Sequence, residues 1–356
     1  MSPAQAIKNL KQKQSELPKG CAIVEFLAGE AQLYIFIVTP ERLSVKLVNL
    51  SRKSLTADVL ALRRMLSGDA ASVRASRPVA GTQSVSPQAV RAHCHALYEK
   101  IFAPLLDDLS GVDTLVIVPN GVLHYLPFQV LVTDVGKSEF LVDRYAITYL
   151  CEESFMRPTP TARARMGRLL LLGNPDGTLS FAEAEVKKIR DLYPDSDLHV
   201  GSSARKERVS RGGSFQGLHI ASHGVLDAQD APASYIVMAA EGNSPGRLTL
   251  REVWGLNLEG VDLVTLSACS TAVGEQSAGD ELVSLENAFI FAGASSVVAS
   301  LWNVADEATA LLMERFYANL KKMDKAQALR HAQLDLKKSH PDPYYWAPFI
   351  LVGSWR

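Results

Sequence analysis

One cysteine and one histidine in this chain stand where their side chains could do chemistry. Cys269 ends the apolar run "VDLVTLSAC" and is followed by the small-residue stretch "STAVGE"; His223 ends "LHIASH" and is followed directly by Gly224. A thiolate is a strong nucleophile, and an imidazole beside it can take the thiol proton and later return it to a leaving amine. The pair needs only to be close in space, not in sequence. A structural reading competes. Cysteine is among the most buried residue types, and a histidine closing a strand is more often a packing residue.

Which reading holds depends on the elements that carry the two residues. In the second half, "RLLLLG" reads as a strand that opens into an "NPDG" turn. The amphipathic helix "SFAEAEVKKIRDLY" follows, with Ser180 as its N-cap. Then come the strand "LHIASHG", the short helix "LTLREVWGL", the strand "VDLVTLSAC", the helix "SLENAFIFAG", the strand "SSVVASLW" and a helix from Asp306 to Leu320. Apolar strands alternating with helices predict a mostly parallel α/β sheet covered on both faces. Sites in such sheets form at the carboxyl ends of the strands, where both His223 and Cys269 fall. If their strands are neighbours, about 4.8 Å separates them. Gly224, with no side chain to obstruct its N–H, could then form an oxyanion hole with the Cys269 N–H. Ala268 and Ser270 leave room for a peptide beside the sulfur.

The first half reads differently. Residues 1–19 suggest a short polar helix, and "CAIVEFLAGEAQLYIFIVTPERLSVKLVNL" an antiparallel meander. Leu55–Leu66 and Pro87–Leu109 have helical periodicity, separated by the Ser-, Ala- and Pro-rich "SGDAASVRASRPVAGTQSVSP", expected to be a mobile loop. "TLVIVP" is a buried strand followed by the turn "NGVLHYLPF". The proline-containing "MRPTPTARARMG" marks the domain boundary. The expected division is therefore 1–156, a linker at 157–166, and 167–356.

Composition excludes several classes. With 47% hydrophobic and 21% charged residues and a net charge of −1, the 356-residue chain carries no basic footprint for nucleic acid. Its longest weakly polar stretch, Phe289–Trp302, is too short for a membrane span, and the lysine-rich start lacks a signal-peptide core. Cysteines at 21, 94, 151 and 269 have no paired spacing, which points to a reducing cytoplasm.

Three other motifs invite chemical readings. "HCH" at 93–95 resembles a metal site, but consecutive helical positions face different directions, so a structural role is expected. His219 shares a strand face with His223 yet lies four residues deeper, so a buried, hydrogen-bonded imidazole is expected. His124 sits in a turn of the first half, where packing is expected. Neither a phosphate-binding loop nor a nucleophile elbow is present, and "GNPDG" is a single turn. No cofactor and no metal are expected.

Longer segments carry a resemblance. "LHIASHGVLD", "GRLTLREVWGLNLEGVDLVTLSACSTAVGE", "GDELVSLENAFIFAGASSVVASLWNVADEATALLMERFY" and "YYWAPFILVGSWR" resemble the CHAT family, caspase-like clan CD cysteine peptidases related to separase and often joined to TPR repeats. "VIVPNGVLHYLPFQVL" and "LLLLGNPDG" match as well, so nearly the whole chain is covered. The resemblance implies a Cys269–His223 dyad and a pseudo-caspase N-terminal half packed on an active C-terminal half. This chain departs from the family pattern at Ser270, Thr271 and Ala272, where an acidic residue and Thr-Gly are common, and at Ala305, where a first aspartate is common. Both departures alter the walls of a substrate site and leave the dyad untouched.

From Glu252 through Glu314 there is no Lys or Arg. Within that stretch Asp306 follows "SSVVASLW" and begins a helix, where an acid is also favoured as a cap. Basic-selective clan CD relatives place an acidic S1 residue at about this distance beyond the cysteine. The resemblance therefore implies that Asp306, with Asp280 next in line, selects Arg or Lys. The expected function is a cytoplasmic cysteine endopeptidase cutting a specific protein partner, such as a pore-forming or signalling protein, in bacterial stress or antiviral defence. A TPR or other regulatory partner is implied as well. The loop "STAVGEQSAGDEL" has no basic residue, so such an enzyme would work unprocessed. The alternative is a regulated interaction module with the same fold and no turnover of its own.

Overall fold

In the computed structural model, residues 14–67, 86–150, 166–210, 214–225, 227, 230–242, 244–269 and 285–356 are described, with the side chains of Ala231, Ala268 and Cys269 excepted. The elements fall into two units, Met1–Leu150 and Cys151–Arg356. The expected mobile loop lies outside the described residues, apart from its two ends. Most of the expected N-terminal helix and of the 157–166 linker also lie outside.

In the first unit the alternating apolar runs form the meander β1 (Cys21–Ala28), β2 (Leu33–Val38) and β3 (Leu43–Val48), with antiparallel pairing throughout. Helix α1 (Arg52–Ser67) buries Leu55, Val59, Leu62 and Leu66, the apolar stripe its period dictates. Helix α2 (Pro87–Ile101) starts on a Ser86 hydroxyl that accepts from the Ala89 N–H, with Pro87 at the first helical position, where no partner is needed. It ends sooner than its periodicity suggests, and a 3-10 turn from Ala103 to Asp108 follows. Strand β4 (Thr114–Val118) is followed by the small pair β5 (Val132–Asp134) and β6 (Glu139–Phe140), helix α3 (Leu141–Arg144) and strand β7 (Ala146–Tyr149). Strands β1, β4 and β7 run parallel.

The second unit carries the chemistry-bearing residues. Its elements are β8 (Leu169–Gly173), α4 (Ser180–Leu192), β9 (Asp197–Val200), β10 (Gly217–Val225), β11 (Tyr235–Val237), β12 (Arg247–Thr249), α5 (Leu250–Trp254), β13 (Leu263–Cys269), α6 (Leu285–Phe291), β14 (Ser296–Ser300), α7 (Asp306–Leu320), α8 (Lys325–Ser339), α9 (Pro343–Trp346) and β15 (Phe349–Gly353). Strands β9, β8, β10, β13 and β14 pair in that order, all parallel, and β15 runs antiparallel to β14. The hairpin of β11 and β12 adds to the upper end of β10. Strands β8, β14 and β15 are buried at every position, as expected where helices cover both faces. The result is a mostly parallel α/β sheet flanked by helices, the expected class.

Helix α7 packs against both α4 and α8. It buries Leu312, Met313, Phe316 and Tyr317, and the Tyr193 hydroxyl at the end of α4 donates to the Tyr317 carbonyl at 3.0 Å. At the foot of β13, Asp262 holds the buried Lys325 ammonium of α8 at 2.7 Å.

Candidate functional site

Strands β10 and β13 are adjacent and in parallel register from Gly217↔Leu263 to His223↔Cys269. The histidine and the cysteine singled out in the sequence are therefore direct cross-strand partners at the carboxyl ends of their strands, about 4.8 Å apart along the backbone. The Cys269 side chain, Asp280 and the loop after the cysteine lie outside the described residues. Gly224, the next residue of β10, pairs with Ile236 of β11.

The His223 imidazole is about one-third exposed and is held from the β8–α4 connection. Its Nε2 lies 2.8 Å from Thr178 Oγ1 and 3.9 Å from Asp176 Oδ2. Thr178 in turn donates through its hydroxyl to Asp176 Oδ1 at 2.8 Å, and its backbone N–H reaches the same oxygen at 3.1 Å. A rigid turn builds this arrangement. Asn174 takes a left-handed φ of 50°. Its N–H donates to the Ala221 carbonyl of β10 at 2.9 Å, and its side-chain oxygen accepts from the Leu179 N–H at 2.8 Å. Gly177, at φ 77°, closes the β-turn onto the Asn174 carbonyl, a backbone state that a side chain would strain.

Sequence reasoning treated "NPDG" only as a turn and missed Asp176 and Thr178 as partners of the histidine. The available signal was position: the turn leaves the carboxyl end of a strand that pairs with β10. The same turn corrects the helix start. Leu179, not Ser180, is the N-cap of α4; it makes no side-chain cap bond, and its own N–H donates to Asn174 Oδ1.

Four residues below His223, His219 is fully buried and bonded on both ring nitrogens. Its Nε2 lies 2.7 Å from Glu185 Oε1 and its Nδ1 3.1 Å from the Tyr317 hydroxyl, which donates to Thr265 Oγ1 at 2.9 Å. Burial pushes the Tyr317 phenol far above its ordinary range, so it serves as a neutral donor. His219 is a buried, hydrogen-bonded residue, as its depth in the strand implies.

A small pocket of about 20 Å³ is lined by Glu185, Ser222, Ser267, Ser300, Val304 and Asp306 among others. Burial lifts the Asp306 carboxyl above the usual carboxylate range; the His223 charge pulls it back and the Glu185 charge pushes it further up. Asp306 is not the cap of its helix. Ala305 holds that position, without a side-chain cap bond, and Asp306 is the first helical residue.

The "HCH" residues turn to three different places. His93 Nε2 meets the Asp58 carbonyl at 2.9 Å, and His95 Nδ1 meets the Val132 carbonyl at 2.9 Å. Cys94 is buried, its thiol pushed up to about 12 by desolvation. Among the described residues no group of three or more His, Cys, Asp or Glu is placed to hold a metal ion. No helix of those residues is long and apolar enough to cross a membrane.

The mostly parallel sheet and its flanking helices have a caspase-like fold. Separase in the Saccharomyces cerevisiae separase–securin complex superposes with a TM-score of 0.60 at 12% identity, covering 99% of this chain and 31% of that one. Residues 91–354 match the family model described as the CHAT domain, and the chain belongs to that family. Tetratricopeptide repeat protein 28 of Mus musculus is 27% identical over 73% of this chain, and that of Homo sapiens is 26% identical over the same share. In both cases this chain spans 13% of the length of the relative.

Proposed function

We propose that the chain is a cysteine endopeptidase in which Cys269 attacks the scissile carbonyl and His223 shuttles the proton. The observation that carries this reading is the direct register of His223 with Cys269 at the carboxyl ends of β10 and β13. The thiol proton passes to the imidazole, the thiolate sulfur adds to the carbonyl carbon, and the imidazolium protonates the departing amine. Water then hydrolyses the acyl-enzyme with His223 as base. The backbone N–H groups of Gly224 and Cys269 hold the oxyanion.

The substrate is a protein cut after Arg or Lys, selected by Asp306, with Asp280 the next carboxylate in line. The pocket position of Asp306, its burial and the vacancy of the capping role at that residue support this assignment. A charge-assisted pair with a guanidinium or ammonium would be strong in such a site. The residues around 157–166 link a pseudo-caspase half at 1–156 to the peptidase half at 167–356. Cytoplasmic action against a pore-forming or signalling protein, in bacterial stress or antiviral defence, is the setting we assign.

A second reading has its own support. The curated relatives are named for tetratricopeptide repeats, and this chain corresponds to a small share of them. A caspase-like interaction module, controlled by a TPR or similar partner and without independent turnover, fits that relationship. An acyloxymethyl ketone probe with Arg at P1 separates the two. The peptidase reading expects labelling of the wild type and none of Cys269→Ala; an unlabelled wild type favours the interaction module.

A further inference from the structure

The Asp176–Thr178 pair explains how a dyad histidine can be held in one tautomer, and this inference rests on the peptidase reading above. Thr178 has one hydroxyl proton, and it is donated to Asp176 Oδ1 at 2.8 Å. The hydroxyl oxygen can then only accept from the imidazole 2.8 Å away, so the ring proton sits on Nε2. Asp176 Oδ2, 3.9 Å from the same nitrogen, favours a proton there. We propose that Thr178 and Asp176 are positioning residues that fix His223 as the Nε2–H tautomer and leave Nδ1 as the basic nitrogen.

The step balances with the groups present. The Cys269 thiol proton moves to Nδ1, forming a thiolate and an imidazolium whose Nε2–H stays on Thr178. Asp176 supports that positive charge through the threonine. The proton on Nδ1 later goes to the leaving amine, which returns the ring to its starting tautomer. The turn around Asn174 makes the arrangement rigid, since it is tied both to β10 through Ala221 and to α4 through Leu179. The histidine and its positioning residues therefore rest on neighbouring, cross-bonded elements.

The test uses the full chain, the P1-Arg acyloxymethyl ketone probe across pH, and nitrogen-15 NMR of the imidazole, with His223→Ala to assign its signals. Thr178→Val should slow labelling by about fivefold or more, in line with one lost hydrogen bond at a solvent-accessible site. Asp176→Asn should shift the pH profile of labelling, and Thr178→Ser should restore a rate near wild type. A purely structural role for the turn would move neither the pH profile nor the serine rescue. Labelling of Thr178→Val at the wild-type rate overturns the inference, as does an Nδ1–H tautomer in the wild type. A wild type unlabelled by this probe and by probes carrying other P1 residues defeats the peptidase reading instead, and the tautomer still decides whether Thr178 sets the ring proton.

Discussion

Replacing Asp306 with asparagine tests the pocket carboxylate from two directions at once. Its folded pKa lies above the ordinary 3.8, chiefly through burial. Well below pH 3.8 both folded and unfolded chains hold the proton, and Asp306→Asn should match the wild type in stability. As pH rises from there through the folded value, the unfolded chain releases the proton first. The wild type then loses stability that the asparagine variant keeps, and the difference persists at pH 7. The carboxylate is only half-buried, so solvent screening keeps the gain small. An acid serving the start of α7 would act with the opposite sign, since it favours the helix by about 0.3–1 kcal/mol. For a substrate with P1 Arg, losing a charge-assisted bond of about 1.5–3 kcal/mol should lower kcat/KM by about 10- to 150-fold. Denaturant titrations at about pH 2.5 and pH 7, with kcat/KM on peptides differing only at P1, measure both effects. A variant less stable at pH 7, or one that keeps its basic preference, would refute the pocket assignment; the latter result moves the role to Asp280.

Other perturbations probe the rest of the site. Cys269→Ala and His223→Ala should each abolish peptide cleavage with native circular dichroism retained, whereas Leu266→Ala in the buried part of β13 should cost about 2–5 kcal/mol in denaturant unfolding. His219→Leu leaves the Glu185 carboxylate buried without its imidazole and should cost about 3–5 kcal/mol; a stability near wild type would mean that the pair contributes little. Intact-mass analysis of active enzyme should find no obligatory cut within residues 270–282, because that segment offers a basic-selective peptidase no Lys or Arg.

The parts of the site readable in sequence are those set by strand periodicity. "LHIASH" and "VDLVTLSAC" are apolar runs ending in polar chemistry, and their adjacency follows from the usual construction of parallel sheets. The length of α7 was likewise legible, because its apolar stripe and its acidic start both mark it. What escaped was set by contacts between distant segments. Thr178 reaches His223 across 45 positions of chain, and nothing local to "NPDGT" announces a histidine partner. The N-cap of α4 lies one residue before Ser180, at Leu179, whose N–H is held by Asn174 five residues upstream. Asp306 could be a cap or a pocket residue on sequence grounds alone; the structure puts Ala305 at the N-cap and Asp306 in the first turn.

Helix α7 is also a ruler. Tyr317 is pinned to His219 and Thr265, and Asp306 lies eleven residues earlier in the same helix. Eleven residues make just over three whole turns, so the two side chains leave the helix within about 20° of each other and about 16 Å apart. One end is fastened in the sheet and the other places a carboxylate in the pocket lining. Losing or gaining a single residue between them would swing Asp306 about 100° around the axis. Lineages carrying this architecture should therefore tolerate substitutions along the exposed side of α7 far more readily than any change in its length. Length variation should gather instead in the turn between Leu320 and Lys325, beyond the fastened end.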